Sequence, residues 1–402
     1  MKRWLSVVGI GEDGMEALTP ASRALIEQAE VLFGGDRHLA MLPLDKRQRI
    51  AWGNALAQTL ARVEAFRGTP VCVLASGDPF DYGVASALAR RTAANEMMVI
   101  PAPGAVSLAC ARMGWSRPDT ETLTLHGRPL AVLNLHMRPK ARLLILSEDG
   151  GTPLAVARHL TDQGFGDSPM SALERMGGPA ENRRDGIAAT WPAETCADLN
   201  TIAVECRSGP GARIVPRAAG LPEDLFEHDG QITKRHVRAA TIAALAPLPG
   251  QVLWDVGAGA GSVAIEWLRA ELGNRALAIE SNIERCAMIA RNAEALGVPQ
   301  LQVIAGSAPE VLTGLTPSPD SIFVGGGVSA PGVLEFSWDI LPPGGRLVAN
   351  AVSLAAEVRM IAFCDKHGGE LVRMAISNLD WVGPVTVMRP AMPVLQYVGV
   401  KP

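Results

Sequence analysis

Residues 254–261 read Trp-Asp-Val-Gly-Ala-Gly-Ala-Gly, and Glu280 closes the next apolar run. An apolar run ending in an acid, then glycines at alternate positions, then a helix-forming segment from Ser262 describe a strand, a tight loop and a helix. The helix starts with its free amides turned toward the loop, and a loop without Cβ atoms lets a ligand come close. This constrains the C-terminal half to a doubly wound α/β sheet with a nucleotide-type cradle at the carboxyl end of one strand.

Spacing selects the ligand. A dinucleotide loop wants a third glycine three positions after the second, where this chain has Ser262, whereas D-x-G-x-G-x-G suits S-adenosylmethionine. Gly257, Ala258, Gly259, Ala260 and Gly261 are expected to hold the methionine portion through backbone amides, and Glu280 to accept hydrogen bonds from both ribose hydroxyls. Ser307 and Ala308 follow the third strand and Gly325 the fourth, so both loops fall where ligands bind in open α/β sheets. The competing readings are a tight strand–helix turn without ligand and, for Glu280, an exposed carboxylate at a helix start.

At 402 residues the chain suits two domains better than one. Hydrophobic residues at 48% and charged residues at 19% support packed cores rather than disorder. A net charge of −4 argues against a nucleic-acid partner, which needs a basic field. The six cysteines form no C-x-x-C pair, which fits a reducing cytoplasm, and the histidines show no metal-ligand spacing. The first ten residues hold too short an apolar run for a signal peptide, and no run approaches the ~20 residues of a membrane helix.

The N-terminal half reads as strands at 5–10, 71–75, 98–100 and 142–146 alternating with helices, two of them announced by Thr19-Pro20 and Thr152-Pro153. From residue 170 to 206 the pattern suggests hairpins, with Arg183-Arg184-Asp185-Gly186 between short β-like runs. Breakers crowd 207–226, which is expected to be a linker between domains 1–206 and 227–402. Beyond it come helices at 233–245, 262–272, 283–296, 333–341 and 354–367. They alternate with strands at 251–256, 276–280, 301–305, 321–324 and 346–352, before strands near 370–377, 385–389 and 394–400 that can pair antiparallel.

Both halves resemble known families. Gly230-Gln231-Ile232-Thr233-Lys234, Asp255 to Gly261, Glu280, Ala308 and Val324-Gly325-Gly326-Gly327 resemble the precorrin-8w-type decarboxylating methylases. Val8-Gly9-Ile10-Gly11, Ala75-Ser76-Gly77-Asp78-Pro79, Pro103-Gly104-Ala105-Val106-Ser107 and Leu125-His126-Gly127-Arg128 resemble the tetrapyrrole methylases. The resemblance implies a tetrapyrrole methylase fold of two α/β subdomains fused to a Rossmann-like methyltransferase fold, with one S-adenosylmethionine site in each. It implies that Gly9, Gly11, Ser76, Gly77, Asp78, Val106 and Ser107 line the first site, and that Thr233 joins the glycine loop, Glu280 and Ala308 in the second. It further implies methylation of two meso carbons of a precorrin, loss of the ring C acetate carboxyl, a role in cobalamin biosynthesis and a homo-oligomer. One departure is the first loop, Gly11-Glu12-Asp13-Gly14, where many relatives carry Gly-Pro-Gly-Asp.

A precorrin carries several carboxylates, so cations are expected at the site mouths: Arg128, Lys234, Arg235 and Arg238. The last three read equally as a solvated helix face. Asp78 reads better as a loop brace than as a catalytic carboxylate, His126 as a packed histidine, and Tyr82 and Trp115 as core aromatics. Carbon methylation demands positioning rather than a particular base, and the conjugated ring can absorb the electrons released with carbon dioxide. The rival readings are a nucleotide-dependent dehydrogenase, a binding module, and a methyltransferase of nucleic acid or protein.

Overall fold

A computed structural model describes residues 3–53 and 56–402 of the chain. The chain folds into two compact units: the first takes the chain up to Leu130 with His136–Arg213, the second Ala131–Leu135 with Ile214–Pro402. The division between Arg213 and Ile214 falls inside the breaker-rich stretch 207–226. Residues 214–226 are nevertheless not a free tether. Leu221 and Phe226 are buried in the core of the second unit, and Arg269 donates to the Val215 and Pro216 carbonyls at 3.0 and 3.1 Å. The short segment around Asn134 also belongs there, because its side-chain amide donates to the carbonyls of Glu294 and Ala295.

In the first unit, strands β1 (Leu5–Ile10), β2 (Val31–Gly34), β3 (Gln48–Ala51), β4 (Val71–Ser76) and β5 (Met97–Ile100) form a sheet in the order β3-β2-β4-β1-β5. Every pairing is parallel. Strand periodicity sends Val7, Phe33 and Val73 into one apolar layer and Val8, Leu32 and Leu74 into the other, so both faces are covered. β2 and β3, with β6 of the next sheet, each four residues long, escape the sequence reading.

A second sheet holds β6 (Glu121–Thr124), β7 (Arg142–Leu146), β8 (Pro169–Glu174), β9 (Asn182–Ile187) and β10 (Asn200–Glu205) in the order β6-β7-β10-β8-β9. Only β6 and β7 run parallel; the rest are antiparallel. Arg183-Arg184-Asp185-Gly186 is not a turn but the body of β9, an edge strand whose charges face solvent. Thr19 caps its helix by accepting the Ser22 amide. The second helix instead starts at Thr152 after a Gly151 N-cap, and Asp149 Oδ1 accepts the Gly151 and Thr152 amides at 2.9 and 3.0 Å.

The second unit contains β11 (Val252–Val256), β12 (Arg275–Glu280), β13 (Gln302–Ala305), β14 (Ser321–Val324), β15 (Arg346–Ala351), β16 (Glu370–Met374), β17 (Ser377–Val382), β18 (Val385–Pro390) and β19 (Val394–Val400). The main sheet runs β13-β12-β11-β14-β15-β19-β16, parallel through β15 and antiparallel at β19. The chain moves outward from β11 to β13 and returns to β14 on the other side of β11. That reversal opens a crevice at the carboxyl ends of β11 and β14. The expected strand near 370–377 is β16, which ends at Met374; β17, not expected from the sequence, pairs with β18 as a separate hairpin.

Candidate active site

The loop from β11 to the helix Ser262–Ala270 uses its glycines for different tasks. A Cβ on Gly257 would come within 2.6 Å of the Gly326 Cα, and one on Gly259 within 2.8 Å of the Gln231 carbonyl oxygen; both residues have positive φ, 72° and 59°. The loops after β11 and β14 therefore touch backbone to backbone at the crevice, an approach only glycine permits. Gly261 serves elsewhere, because a Cβ there would meet Ile289 of the following helix at 2.7 Å. Ala260 is fully buried and gives its carbonyl to Asn292 Nδ2 at 3.0 Å. Ala260 and Gly261 thus fasten helix to sheet and do not line the crevice, contrary to the reading of the whole loop as a cradle.

Four of the loop amides are also committed. Those of Gly257 and Ala258 donate to the Ile279 carbonyl at 2.9 and 3.0 Å, and that of Gly261 to the Ala258 carbonyl at 2.8 Å. The Gly259 amide donates to Glu280 Oε2 at 2.9 Å. With these four amides taken, the glycines at 257 and 259 contribute by removing bulk, and Glu280 offers a side-chain acceptor. Glu280 is 5% exposed, and its Oε1 accepts the Asn282 amide at 3.0 Å. Ser281 Oγ also donates to Oε1, at 3.5 Å, so Oε2 is the oxygen that keeps a lone pair for a donor in the crevice.

Behind the loop, Asp255 is buried with Oδ2 accepting the Ala264 amide at 3.0 Å and Oδ1 unpaired. Burial pushes its carboxyl up to about 7, the Ala264 amide opposes that, and the Glu280 charge adds to it.

The crevice widens into a cavity of about 1150 Å³. Gly257, Ala258, Gly259, Glu280, Thr233, Ser307, Ala308 and Gly325 all border it, brought together from four strand ends and the start of the helix Arg235–Leu245. Lys234 and Arg235 stand at its rim; Lys234 Nζ pairs with Glu223 at 3.2 Å, and Arg235 Nε donates to the Gly220 carbonyl at 2.8 Å. Arg238 does not reach the cavity. It is fully buried, its Nε lies 2.6 Å from Glu266 Oε1, and its other nitrogens donate to the Thr233 and Leu221 carbonyls. A guanidinium with its donors spent inside the core cannot take a substrate carboxylate. His236 and Arg285, not singled out from sequence, supply further basic groups; Arg285 Nε pairs with Asp229 at 2.8 Å. Helical periodicity could have separated Arg238 from its neighbours, since it falls on the apolar face with Ile242 and Leu245.

In the first unit, Gly9 and Gly77 cross closely: a Cβ on Gly9 would lie 2.0 Å from the Gly77 carbonyl oxygen, and one on Gly77 would lie 2.7 Å from the Gly104 Cα. Both glycines are buried, and the Val106 side chain sits in the core with Ala109, Leu144 and Leu173. Gly9 and Gly77 thus let the end of β1 and the loop after β4 meet backbone to backbone, while Val106 packs against the second sheet. Ser76 and Ser107 are exposed, Gly11 and Asp78 partly so. Asp78 Oδ1 accepts the Phe80 amide at 2.9 Å, a loop brace.

Sequence reasoning missed Arg37 and His38, because it missed β2 that precedes them. Arg37 Nη2 donates to Ser76 Oγ at 2.9 Å and to His38 Nε2 at 3.1 Å, and its Nη1 pairs with Glu12. Because a guanidinium only donates, His38 Nε2 accepts, and burial with the Arg37 charge pushes the imidazole down to about 4. Glu12, the departure in the first loop, is thereby held by a cation. Tyr82 is 51% exposed, not core, and Arg128 lies over its ring at 5.9 Å.

Comparison with known proteins agrees with both halves. The family described as Tetrapyrrole (Corrin/Porphyrin) Methylases matches residues 5–190, and the Precorrin methyltransferase domain matches residues 224–401. A precorrin-6Y C(5,15)-methyltransferase [decarboxylating] of Sinorhizobium sp is 46% identical over 399 residues, spanning 99% of this chain and 96% of the relative. The protein of the same name from Mycobacterium tuberculosis (strain ATCC 25618 / H37Rv) is 41% identical over 399 residues, spanning 98% and 99%. The crystal structure of the C-terminal domain of precorrin-6Y C5,15-methyltransferase from Rhodobacter capsulatus is 39% identical, covers 46% of this chain and 100% of that one, and has a TM-score of 0.44. With both unlike units matched in order and nearly the whole length shared, the chain belongs to the decarboxylating precorrin-6Y C(5,15)-methyltransferase family.

Proposed function

We propose that this chain methylates C5 and C15 of precorrin-6Y with S-adenosylmethionine and removes the ring C acetate carboxyl, in cobalamin biosynthesis, with one methyl-donor site in each unit. The observation that carries the reading is the crevice in which the loops after β11 and β14 meet without side chains beside the Glu280 carboxylate. Its cavity of about 1150 Å³ exceeds the roughly 300–1,000 Å³ typical of a single small-ligand site, so a donor and a second reactant fit together.

The residues fit the donor as follows. Glu280 accepts from ribose hydroxyls, Gly257 and Gly259 leave room for the chain that ends in the sulfonium, and Ser307, Ala308 and Gly325 close the walls. When bound, the donor supplies an electrophilic methyl group. Lys234, Arg235 and Arg285 hold carboxylates of the macrocycle at the rim and so fix which ring carbon faces the methyl. In the first unit, Ser76, Asp78 and Ser107, with Gly11, border the second donor site. The enzyme works in the cytoplasm on a free tetrapyrrole.

Homo-oligomer formation is part of the reading. The β17–β18 hairpin exposes Leu379, Trp381, Val385 and Met388, each more than half accessible, on a two-stranded ribbon that pairs with no other strand among the described residues. So much exposed apolar surface fits a second copy.

Calorimetry of the full chain with S-adenosylhomocysteine tests the reading. Two sites per chain are expected, reduced to one by Gly259→Leu. A single site in the unaltered protein that Gly259→Leu abolishes would leave the first unit without a donor site and overturn its assignment.

A further inference from the structure

The loop that follows β4 holds an unfavourable conformation with no burial to offset it. Tyr82 has a φ of 55°, in the left-handed region that residues with a Cβ avoid. Such strain persists only where the surroundings over-determine it, and it gathers at functional sites. Yet Tyr82 is 51% exposed, and Phe80, two residues earlier, is 50% exposed.

The surroundings do over-determine this loop. Asp78 Oδ1 accepts the Phe80 amide at 2.9 Å, the Pro79 carbonyl accepts the Ala85 amide at 3.0 Å, and the Tyr82 hydroxyl donates to the Thr122 carbonyl at 3.3 Å. Gly83 lies so near Pro79 that a Cβ there would stand 2.3 Å from its carbonyl oxygen. Tyr82 is thereby braced against the second sheet at β6. Arg128 comes from the same side, its guanidinium carbon 5.9 Å from the centre of the Tyr82 ring. Among the described residues Arg128 makes no ion pair; Glu148 and Asp149 share its hollow, and Asp149 already takes the Gly151 and Thr152 amides.

An accessible Tyr82 ring beside a guanidinium that makes no ion pair, with Phe80 exposed on the same braced loop, matches one ligand chemistry: a flat conjugated surface edged with carboxylates. Rings offer stacking area at little conformational cost, and a guanidinium takes a carboxylate through paired hydrogen bonds. The loop leaves the sheet at Ser76 and Asp78, at the carboxyl edge where α/β sheets bind ligands. We propose that Phe80, Tyr82 and Arg128 form the platform that holds the tetrapyrrole in the first unit, the rings against its face and Arg128 on one of its side-chain carboxylates. This rests on the reading of the first unit as a tetrapyrrole methyltransferase.

Tyr82→Gly gives a discriminating test, because it removes the ring and the strain together. In the full-length enzyme with precorrin-6Y and S-adenosylmethionine, Tyr82→Gly, Phe80→Ser and Arg128→Gln are each expected to raise KM for one of the two methyl transfers by about tenfold. The other transfer and the decarboxylation stay at the wild-type level, so a singly methylated product accumulates. Tyr82→Gly is also expected to keep or raise the melting temperature. Wild-type KM for both transfers in all three variants would overturn the platform. So would a lowered melting temperature with both transfers impaired alike, or loss of an assembly with both transfers intact. Failure of the unaltered enzyme to methylate any tetrapyrrole would instead overturn the proposed function.

Discussion

Glu280 Oε2 accepts the Gly259 amide at 2.9 Å while its Oε1 accepts the Asn282 amide, so one carboxylate joins the glycine loop to the turn after β12. Both oxygens face backbone donors. In Glu280→Gln the amide NH2 must therefore oppose one N–H, which shifts the loop and removes a charge from the crevice. We expect S-adenosylhomocysteine affinity at the second site to fall by about ten- to a hundredfold, or about 1.4–2.8 kcal/mol, with the first site unchanged. Calorimetry on the full chain reads this directly; unchanged affinity would remove Glu280 from the site.

Gly257 makes a separate prediction. Its φ of 72° and the Gly326 Cα at 2.6 Å from a Cβ leave Gly257→Ala both strained and in collision. The left-handed conformation alone costs about 1–2 kcal/mol for a residue with a Cβ. We expect a lower melting temperature for the second unit and cofactor binding weakened by at least about tenfold. Wild-type stability with wild-type binding would mean that the two loops are not in contact.

Much of this was legible in the sequence, and the misses share causes. Asp255, the glycine loop and Glu280 announce β11, the crevice and β12 because long apolar runs with terminal acids are local signals. β2 was not legible, and with it went Arg37 and His38, which reach Ser76 only through tertiary packing. Sequence also cannot say which donors a fold has already used. The loop amides read as free, yet Ile279 and Glu280 take them. Arg238 reads as a rim cation beside Lys234 and Arg235, yet it turns inward to Glu266.

That inward pair predicts a stability effect rather than a binding one. Arg238 and Glu266 are 0% and 2% exposed, and Glu266 also accepts the Gly220 and Leu221 amides at 2.7 and 2.8 Å. Removing one partner leaves a buried charge uncompensated, which costs about 3–5 kcal/mol. Arg238→Met should destabilise the second unit by that order in urea titrations, and KM for the tetrapyrrole should change little at temperatures where the variant stays folded. A large KM change without loss of stability would restore Arg238 as a substrate cation.

Two buried groups give the units opposite responses to pH. Asp255 titrates at about 7 in the folded chain against an ordinary 3.8. Between those values the folded state keeps a proton that the unfolded state has released, so this group's contribution to stability falls as pH rises from about 4 to about 7. His38, pushed down to about 4 from 6.5, does the reverse. The unfolded chain binds a proton there that the folded chain does not, so its contribution is complete above about 6.5 and is lost as pH falls toward about 4. Urea midpoints of each unit, followed between about pH 4 and pH 8, should show Asp255→Asn gaining on the wild type as pH rises and His38→Asn gaining as pH falls. A difference from wild type that stays constant with pH would show that the substituted group does not titrate in that window.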